Sequence, residues 1–217
     1  MKSALLLGAS GLVGSSCLRR LLADPAYESV TVWVRRAVPV SDAKLVQQVV
    51  DFERLADAPA ITAEDVFCCL GSTLKKAGSK EAFYRVDCTY PYEVAKACAK
   101  AEVKRFLLVS ALGANSRSRV FYNRVKGEAE EKISGAGLPG VYIFRPSLLL
   151  GQRSVLRIGE RIAMAVTPLL APLMIGAFRK YRPIAAESVA VAMVRSANGA
   201  NPPGIIESDQ IQKLSAG

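Results

Sequence analysis

The chain of 217 residues is 51% hydrophobic and 22% charged, which excludes a disordered chain and allows one folded domain with a sizeable core. Its 29 lysines and arginines exceed its 19 aspartates and glutamates, so the net charge of +10 favours anionic ligands such as phosphorylated cofactors, whereas no nucleic-acid-binding motif supports a nucleic acid partner. The absence of histidine excludes Ser-His-Asp and Cys-His catalysis and removes the commonest metal ligand, so we predict no metal site.

Residues 1–34 show the pattern of a strand, a glycine-rich turn, a helix and a second strand. An apolar run at residues 4–7 precedes the turn, leucines at helical spacing follow it, and a second apolar run covers residues 30–34. In such a βαβ unit the glycines allow a tight turn, a close approach of backbone amides to a pyrophosphate, and close packing of helix on strand. The positive end of the helix also attracts the anion. We therefore predict a dinucleotide-binding turn with contacts from Gly8, Ser10, Gly11, Leu12, Val13 and Gly14.

Two arginines end the second predicted strand, where a cofactor recognised through its ribose 2′-hydroxyl requires an acidic residue. The guanidinium groups of Arg35 and Arg36 suit a 2′-phosphate, which a carboxylate would repel. We therefore predict NADP(H) rather than NAD(H) as the cofactor. The alternative is a solvated pair of charges at a strand end.

Apolar and helical patterns alternate along the rest of the chain. Strands are predicted at residues 45–51, 65–71, 103–109, 141–144 and 205–206, and helices at residues 79–101, 121–135, 154–170 and 187–197, before a polar tail. This alternation predicts an α/β fold in which a doubly wound, Rossmann-like parallel sheet carries helices on both faces. We expect a single domain over residues 1–217, with residues 151–185 forming most of a very small substrate cap.

Ligands of such sheets lie across the carboxyl ends of the strands, so residues at those ends are candidate cofactor contacts. The third strand ends at Asp51 and Phe52, which are predicted to border the adenine; the alternative is an ordinary strand end.

The fourth strand runs into a turn that is predicted to pass beside the ribose or nicotinamide, or to be a plain turn. This turn consists of Leu70, Gly71 and Ser72. Pro146 and Arg153 are also predicted contacts. Arg153 could hold the cofactor diphosphate or belong to a solvated basic helix face.

Tyr122 and Lys126 are four residues apart in a predicted helix and therefore share one face. An ammonium group beside a phenol favours the phenolate, so this tyrosine could exchange a proton with a carbonyl or alcohol oxygen during hydride transfer. The lysine could also reach the nicotinamide ribose. Ser110, at the end of the fifth predicted strand, could hydrogen-bond the same substrate oxygen. The alternative is an exposed helix pair, because Tyr-x-x-x-Lys often occurs by chance.

These pieces together resemble the short-chain dehydrogenase/reductase superfamily, and more closely its atypical or extended members. The matching residues lie within residues 1–150 and are the glycine turn, Arg35-Arg36, Asp51, Ser110, Tyr122-x-x-x-Lys126 and Arg145-Pro146-Ser147. The Cys-Cys-Leu-Gly segment and the sequence around Tyr122 are similar to the small NADP-binding subgroup of HIV Tat-interacting oxidoreductases. The resemblance implies NADP(H) binding and a Ser-Tyr-Lys oxidoreductase or epimerase site made of Ser110, Tyr122 and Lys126.

The favoured function is an NADP(H)-dependent oxidoreductase that transfers a hydride between nicotinamide and a carbonyl or alcohol carbon. One alternative is an NADPH-sensing binding or regulatory protein with little turnover. Another is an isomerase similar to nucleotide-sugar epimerases, against which the two arginines and the short cap argue. The partner would be a small-molecule substrate that could be hydrophobic, and we expect a monomer or a homodimer.

Cysteine usage and one apolar segment bear on location. The odd number of cysteines, without zinc spacing or a signal peptide, predicts reduced thiols and a cytoplasmic protein. Residues 162–178 carry no charge but are barely long enough to cross a bilayer, and two prolines interrupt them. We therefore predict no stable membrane insertion. The five cysteines are Cys17, Cys68, Cys69, Cys88 and Cys98.

Overall fold

The computed structural model describes residues 1–150 and 176–217. Its strands are β1 (Lys2–Leu7), β2 (Tyr27–Val34), β3 (Leu45–Val49), β4 (Asp65–Cys68), β5 (Arg105–Val109), β6 (Val141–Arg145), β7 (Leu149–Leu150), β8 (Ile184–Ala185) and β9 (Gly204–Glu207). Seven of these described strands form one parallel sheet in the order β3-β2-β1-β4-β5-β6-β9, and β7 pairs with β8 separately. The prediction of a doubly wound parallel sheet is confirmed.

Helices cover both faces of this sheet, as predicted. They are α1 (Leu12–Ala23), α2 (Leu74–Ala77), α3 (Lys80–Tyr84), α4 (Tyr90–Lys100), α5 (Phe121–Ser134), α6 (Ala186–Ala197) and α7 (Ser208–Ala216). Helices α1 and α6 pack on one face, and α4 and α5 pack on the other. A single π-helical turn, Arg85–Thr89, joins α3 to α4, and short 3-10 helices occupy Phe52–Asp57 and Gly176–Tyr181.

The central strand β1 explains why the first apolar run shows no alternation. Leu6 packs into the core on the α1 side, whereas Leu5 and Leu7 pack into the core on the α4 side. A parallel strand covered on both faces buries every side chain, and all three leucines are at most 2% exposed. The run of apolar residues therefore reflects a strand at the centre of the sheet.

The strand order reverses between β1 and β4, and this point positions the site. From β1 the chain adds β2 and β3 on one side, and it then returns to add β4, β5 and β6 on the other. The turns that follow β1 and β4 therefore leave the sheet side by side, with the amide of Cys69 donating to the carbonyl of Leu7 at 3.0 Å. Doubly wound sheets bind ligands in the crevice outside the carboxyl ends of the strands at such a point.

Two sequence-based boundaries differ from the structure. Strand β3 ends at Val49, because Asp51 instead begins a 3-10 helix and accepts a hydrogen bond from the amide of Glu53. The segment expected to be a polar tail is helix α7. Its start is stabilised by a capping box between Glu207 and Gln210, and Ile211 is fully buried.

The region predicted to form the cap lies largely outside the described residues. The helix expected over residues 154–170 falls there entirely, as does most of the apolar segment 162–178. Among the residues that the structure describes, no helix is both long enough and apolar enough to cross a membrane.

Candidate functional site

The turn after β1 has room only for glycine at two of its positions. Gly8 has a φ of +81°, and a methyl group there would lie 2.5 Å from the carbonyl oxygen of Cys69. A methyl group at Gly14 would lie 2.1 Å from the carbonyl oxygen of Gly8. Both distances are far below van der Waals contact, so the turn is packed against β4 and against the first turn of α1. Gly11 completes the turn, with its amide donating to the carbonyl of Gly8 at 2.8 Å.

The amino terminus of α1 is open to an anion. Gly11 is its N-cap residue, and among the described residues no side chain caps the first turn and no acidic side chain lies within it. Ser10 and Gly11 are exposed, and the amides of Leu12 and Val13 belong to that first turn. Uncapped amides at the positive end of a helix bind phosphate well. This cradle fits the diphosphate of a dinucleotide cofactor.

Arg35 and Arg36 follow β2 directly and are exposed. Within the described part of the chain, neither guanidinium group forms a hydrogen bond or an ion pair. Because β1 and β2 are adjacent and parallel, the two arginines leave the sheet at the same edge as the glycine turn. They are available to a phosphate group bound beside that turn.

Lys126 forms a buried ion pair with Asp87. The Nζ atom of Lys126 lies 2.8 Å from Oδ1 of Asp87, and the two side chains are 7% and 1% exposed. The other carboxylate oxygen of Asp87 accepts a hydrogen bond from the amide of Ser72 at 2.8 Å. Asp87 therefore connects the turn after β4, the π-helical turn and helix α5.

The Asp87 carboxylate keeps Lys126 protonated. Burial alone would lower the pKa of this ammonium group, but attraction to Asp87, with a smaller contribution from Tyr122, raises the pKa above its usual value. Within the described residues, Asp87 is the one carboxylate that Lys126 contacts. The ammonium group has three N–H donors, so it has capacity left for ligand oxygens.

The exposed Gly71 packs directly beside the ion pair. A methyl group at this exposed glycine would lie 3.4 Å from Oδ1 of Asp87 and 3.8 Å from Nζ of Lys126. A larger side chain here would cover both groups. The position predicted for Gly71, beside the ribose or nicotinamide, stays a prediction.

Tyr122 lies one helical turn before Lys126 and, at 37% exposed, is open to a ligand. Its ring packs against the fully buried ring of Phe83, with the ring centroids 5.7 Å apart. Helix α3 therefore supports one side of the tyrosine while its other side faces solvent. Tyr122 and Lys126 lie in one helix and Gly71 lies beside Lys126, while the catalytic and cofactor-binding roles predicted for these residues stay predictions.

Ser110 lies apart from this group in its contacts. The residue is 5% exposed, and its hydroxyl donates a hydrogen bond to Glu130, which also pairs with Arg145. Arg145 binds Glu207 as well, so the hydroxyl belongs to a polar network between α5, β6 and β9. The role predicted for Ser110, orienting a substrate oxygen, stays a prediction, and the hydroxyl would have to leave Glu130 to perform it.

The remaining predicted cofactor contacts have varied surroundings. Asp51 caps the 3-10 helix, and the ring of Phe52 is buried against Tyr90 with centroids 5.9 Å apart. Leu70 is partly buried, and Pro146 is buried with its carbonyl accepting from the amide of Leu112 at 2.9 Å. Arg153 lies outside the described residues.

Asp87 is the site residue that sequence reasoning missed. The sequence did carry a signal, because Asp87 stands four residues after Phe83 and seven before Val94, on the buried side of a helical pattern. A carboxylate at a position where periodicity predicts an apolar residue needs a buried partner. Its partner Lys126 comes from a distant helix, which the local pattern did not reveal.

Comparison with known proteins supports a nicotinamide cofactor. A family model described as NAD(P)H-binding matches residues 8–157. Protein HTATIP2 of Rattus norvegicus is 39% identical over 167 residues, which cover 75% of this chain and 69% of that protein. Protein FMP52-1, mitochondrial, of Scheffersomyces stipitis is 36% identical over 157 residues, which cover 70% of this chain and 69% of that protein.

Solved structures share the fold. MoeE5 in complex with UDP-glucose and NAD is 15% identical with a TM-score of 0.67, and the match covers 99% of this chain and 81% of that one. The human epimerase family protein SDR39U1 (isoform 2) with NADPH is 18% identical with a TM-score of 0.58, covering 94% of this chain and 72% of that one. At these identities the likeness shows the fold alone.

The predicted cytoplasmic location is wrong. Six fungal relatives are named mitochondrial proteins, which points to mitochondria instead. Reduced cysteines do not distinguish these two compartments, so the cysteine argument could not decide between them. The resemblance to the short-chain dehydrogenase/reductase superfamily, and to its subgroup of HIV Tat-interacting oxidoreductases, is confirmed, because the family model covers more than half of the sequence and the rat protein HTATIP2 is 39% identical. The chain belongs to the NAD(P)H-binding family.

Proposed function

We propose that the protein is an NADP(H)-dependent oxidoreductase that acts on a small carbonyl or alcohol substrate. The observation that carries the proposal is the buried Lys126–Asp87 pair, which lies one helical turn from the half-open Tyr122. This arrangement stands on the carboxyl edge of the sheet, where the glycine turn would hold the cofactor diphosphate. A folded protein that only displayed a surface Tyr-x-x-x-Lys pair would not need to bury the lysine.

Each residue of the site would have its own role in hydride and proton transfer. When bound, the nicotinamide would supply or accept the hydride at the substrate carbon. Tyr122 would donate a proton to the carbonyl oxygen during reduction, or accept the alcohol proton during oxidation. Lys126, held protonated by Asp87, would place a positive charge one helical turn from Tyr122 and would bind ribose hydroxyls with its remaining N–H groups.

The preference for NADP(H) over NAD(H) is part of the proposal. Its support is that Arg35 and Arg36 are exposed beside the glycine turn with no counter-ion among the described residues. A charged hydrogen bond to phosphate contributes about 1.5–3 kcal/mol, so NADPH should bind about tenfold or more tightly than NADH. Titration of intrinsic fluorescence with each cofactor measures this difference, and equal affinities would contradict it.

The experiment that tests catalysis is the Tyr122→Phe variant. We expect it to lower kcat by about 10²–10⁴-fold on any aldehyde or ketone that the wild type reduces with NADPH. Its affinity for NADPH should change little, because the lost hydroxyl is not in the diphosphate cradle. Tyr92→Phe is the matched control, since it removes one phenolic hydroxyl from the surface of α4. A Tyr122→Phe protein with the wild-type rate would refute the role of this residue.

A second function is favoured by one observation. Because the hydroxyl of Ser110 is bound to Glu130, the site as it stands lacks that donor for a substrate oxygen. This supports an NADPH-sensing protein with little turnover. The two functions separate in one assay, in which protein saturated with NADPH meets a broad panel of carbonyl compounds. Binding without oxidation of NADPH by any of them supports the sensor.

A further inference from the structure

Four exposed cations lie on the two segments that follow β4 and β5, and they have no counter-ion among the described residues. They form what we call the basic rim, which consists of Lys75 and Lys76 on α2 and of Arg117 and Arg119 on the loop before α5. None of the four side chains forms a hydrogen bond or ion pair within residues 1–150 and 176–217. Elsewhere on the surface, basic side chains commonly form ion pairs, as Lys104 does with Glu64 at an Nζ to Oε2 distance of 2.8 Å.

The two halves of the basic rim border the proposed site. Helix α2 begins directly after the turn at Gly71, which lies beside the ammonium group of Lys126. Arg119 stands three residues before Tyr122, at the entrance to α5. Both segments follow the carboxyl ends of neighbouring strands, β4 and β5, so they leave the sheet at one edge.

The loop that carries the arginines is held firmly. The side chain of Asn115 accepts from the amide of Arg117 at 2.8 Å, and the amide of Asn115 donates to the carbonyl of Asn123 at 3.0 Å. Arg124 donates to the carbonyl of Ser118 at 3.0 Å. The backbone of the loop is therefore ordered by internal bonds, while neither guanidinium group forms a hydrogen bond with the described part of the chain. Because the backbone is already ordered, binding of an anion by these arginines would not require the loop itself to be ordered.

We propose that the substrate carries an anionic group, a carboxylate or a phosphate, which the basic rim binds while the carbonyl carbon lies at Tyr122. This inference rests on the proposed function and names its class of substrate. The cofactor phosphates would use other groups. The diphosphate fits the uncapped amides at the start of α1, and a 2′-phosphate fits Arg35 and Arg36 on the far side of β1. Like charges gathered around one cleft also raise the local concentration of an anionic substrate.

The test compares two aldehydes that differ in charge but have similar rings, 4-carboxybenzaldehyde and methyl 4-formylbenzoate. With NADPH, the wild type should show a KM for the carboxylate at least about fivefold lower than for the ester, at similar kcat. Raising the salt concentration should reduce this preference. The Arg117→Gln/Arg119→Gln variant should raise the KM for the carboxylate and leave the ester unaffected.

Lys100→Gln/Lys213→Gln is the matched control, because it removes two exposed lysines on other segments whose side chains form no hydrogen bond or ion pair with the described residues. It should preserve the preference. Equal KM values for the two aldehydes in the wild type would overturn the inference while leaving the proposed function intact. A rise in the KM for NADPH alone, in the arginine variant, would also overturn it, because the rim would then serve the cofactor. Absence of turnover with either aldehyde, and with a wider panel of carboxylated and phosphorylated aldehydes and ketones, would reject both proposals.

Discussion

Two lysine–aspartate pairs, one partly buried and one buried, stand at opposite edges of the sheet, and they differ in how fully their groups are bonded. At the amino edge, Lys2 contacts Asp65 at 3.0 Å and also the hydroxyl of Tyr27, the carbonyl of Ala197 and the side chain of Asn198. At the carboxyl edge, Lys126 contacts Asp87 alone among the described residues.

The carboxylate of Asp65 also has more hydrogen-bonding and ion-pair partners than that of Asp87. Asp65, fully buried, binds Lys2, Arg105 and the hydroxyl of Tyr27. Asp87 binds one ammonium group and one backbone amide. Burial, followed by the charge of Asp65, raises the pKa of Tyr27, so this phenol stays neutral and serves as a donor. A network whose donors and acceptors are all used internally supports the fold, whereas a buried ammonium group with unused donors is prepared for a ligand.

Removal of Asp65 should give the largest effect and should act on folding alone. In Asp65→Ala, Lys2 and Arg105 lose the carboxylate that binds both of them. Breaking a buried ion pair in this way costs about 3–5 kcal/mol of the free energy of unfolding, which urea denaturation measures. Asp57→Ala is the control, because Asp57 is exposed and pairs weakly with Arg54 at 3.7 Å. A loss of NADPH affinity in folded Asp65→Ala would contradict the distinction between the two edges.

Replacing each lysine in turn sharpens the comparison. Lys126→Gln should weaken NADPH binding about tenfold, because it would remove the charged hydrogen bonds that we propose between Lys126 and the cofactor, each worth about 1.5–3 kcal/mol. Lys2→Gln should leave the affinity of the folded protein unchanged, since all the contacts of Lys2 lie at the amino edge. Isothermal titration at a temperature where both variants are folded gives the two dissociation constants. Equal losses in both variants would show that Lys126 has no special relation to the cofactor.

The sequence predicted those parts of the site that depend on near neighbours. The glycine turn joins residues within one βαβ unit, and Tyr122 and Lys126 share a face because they lie four residues apart in one helix. Asp87 was missed because its pairing requires the π-helical turn and α5 to lie side by side, which only the packing of the whole α4 side provides. The contact between Ser110 and Glu130 depends on the same packing.

The fold shows the same division between local and distant causes. The central strands were recognised because burial on both faces makes their sequences uniformly apolar. Helix α7 was missed because residues 208–216 are mostly polar, and the helix depends on the capping box at Glu207 and on the packing of Ile211 and Leu214. The edge strand β3 was predicted two residues too long because Asp51 begins the next element, and side-chain capping of this kind is hard to recognise without the backbone.

The smallest expected change comes from Asp87→Asn, and it tests whether the pair at the carboxyl edge acts through charge. Asp87 raises the pKa of Lys126, and without its charge the burial that lowers this pKa is left to dominate. Lys126 should then lose its proton at a lower pH than in the wild type, so the alkaline limb of the pH profile of kcat should move to lower pH. The rate at pH 7 should change by less than about threefold, provided that the ammonium group stays protonated there.

The direction of this shift separates a charge effect from a structural one. A variant that only loosened the site would lose rate evenly at every pH and would leave the alkaline limb in place. Asp57→Asn, which neutralises an exposed carboxylate, should reproduce the wild-type profile. If Asp87→Asn moved the limb to higher pH or not at all, Asp87 would not set the protonation of Lys126, and the contrast with Asp65 would rest on geometry alone. A shift of the limb to lower pH with the NADPH affinity preserved would show that the charge of Asp87 acts by keeping Lys126 protonated.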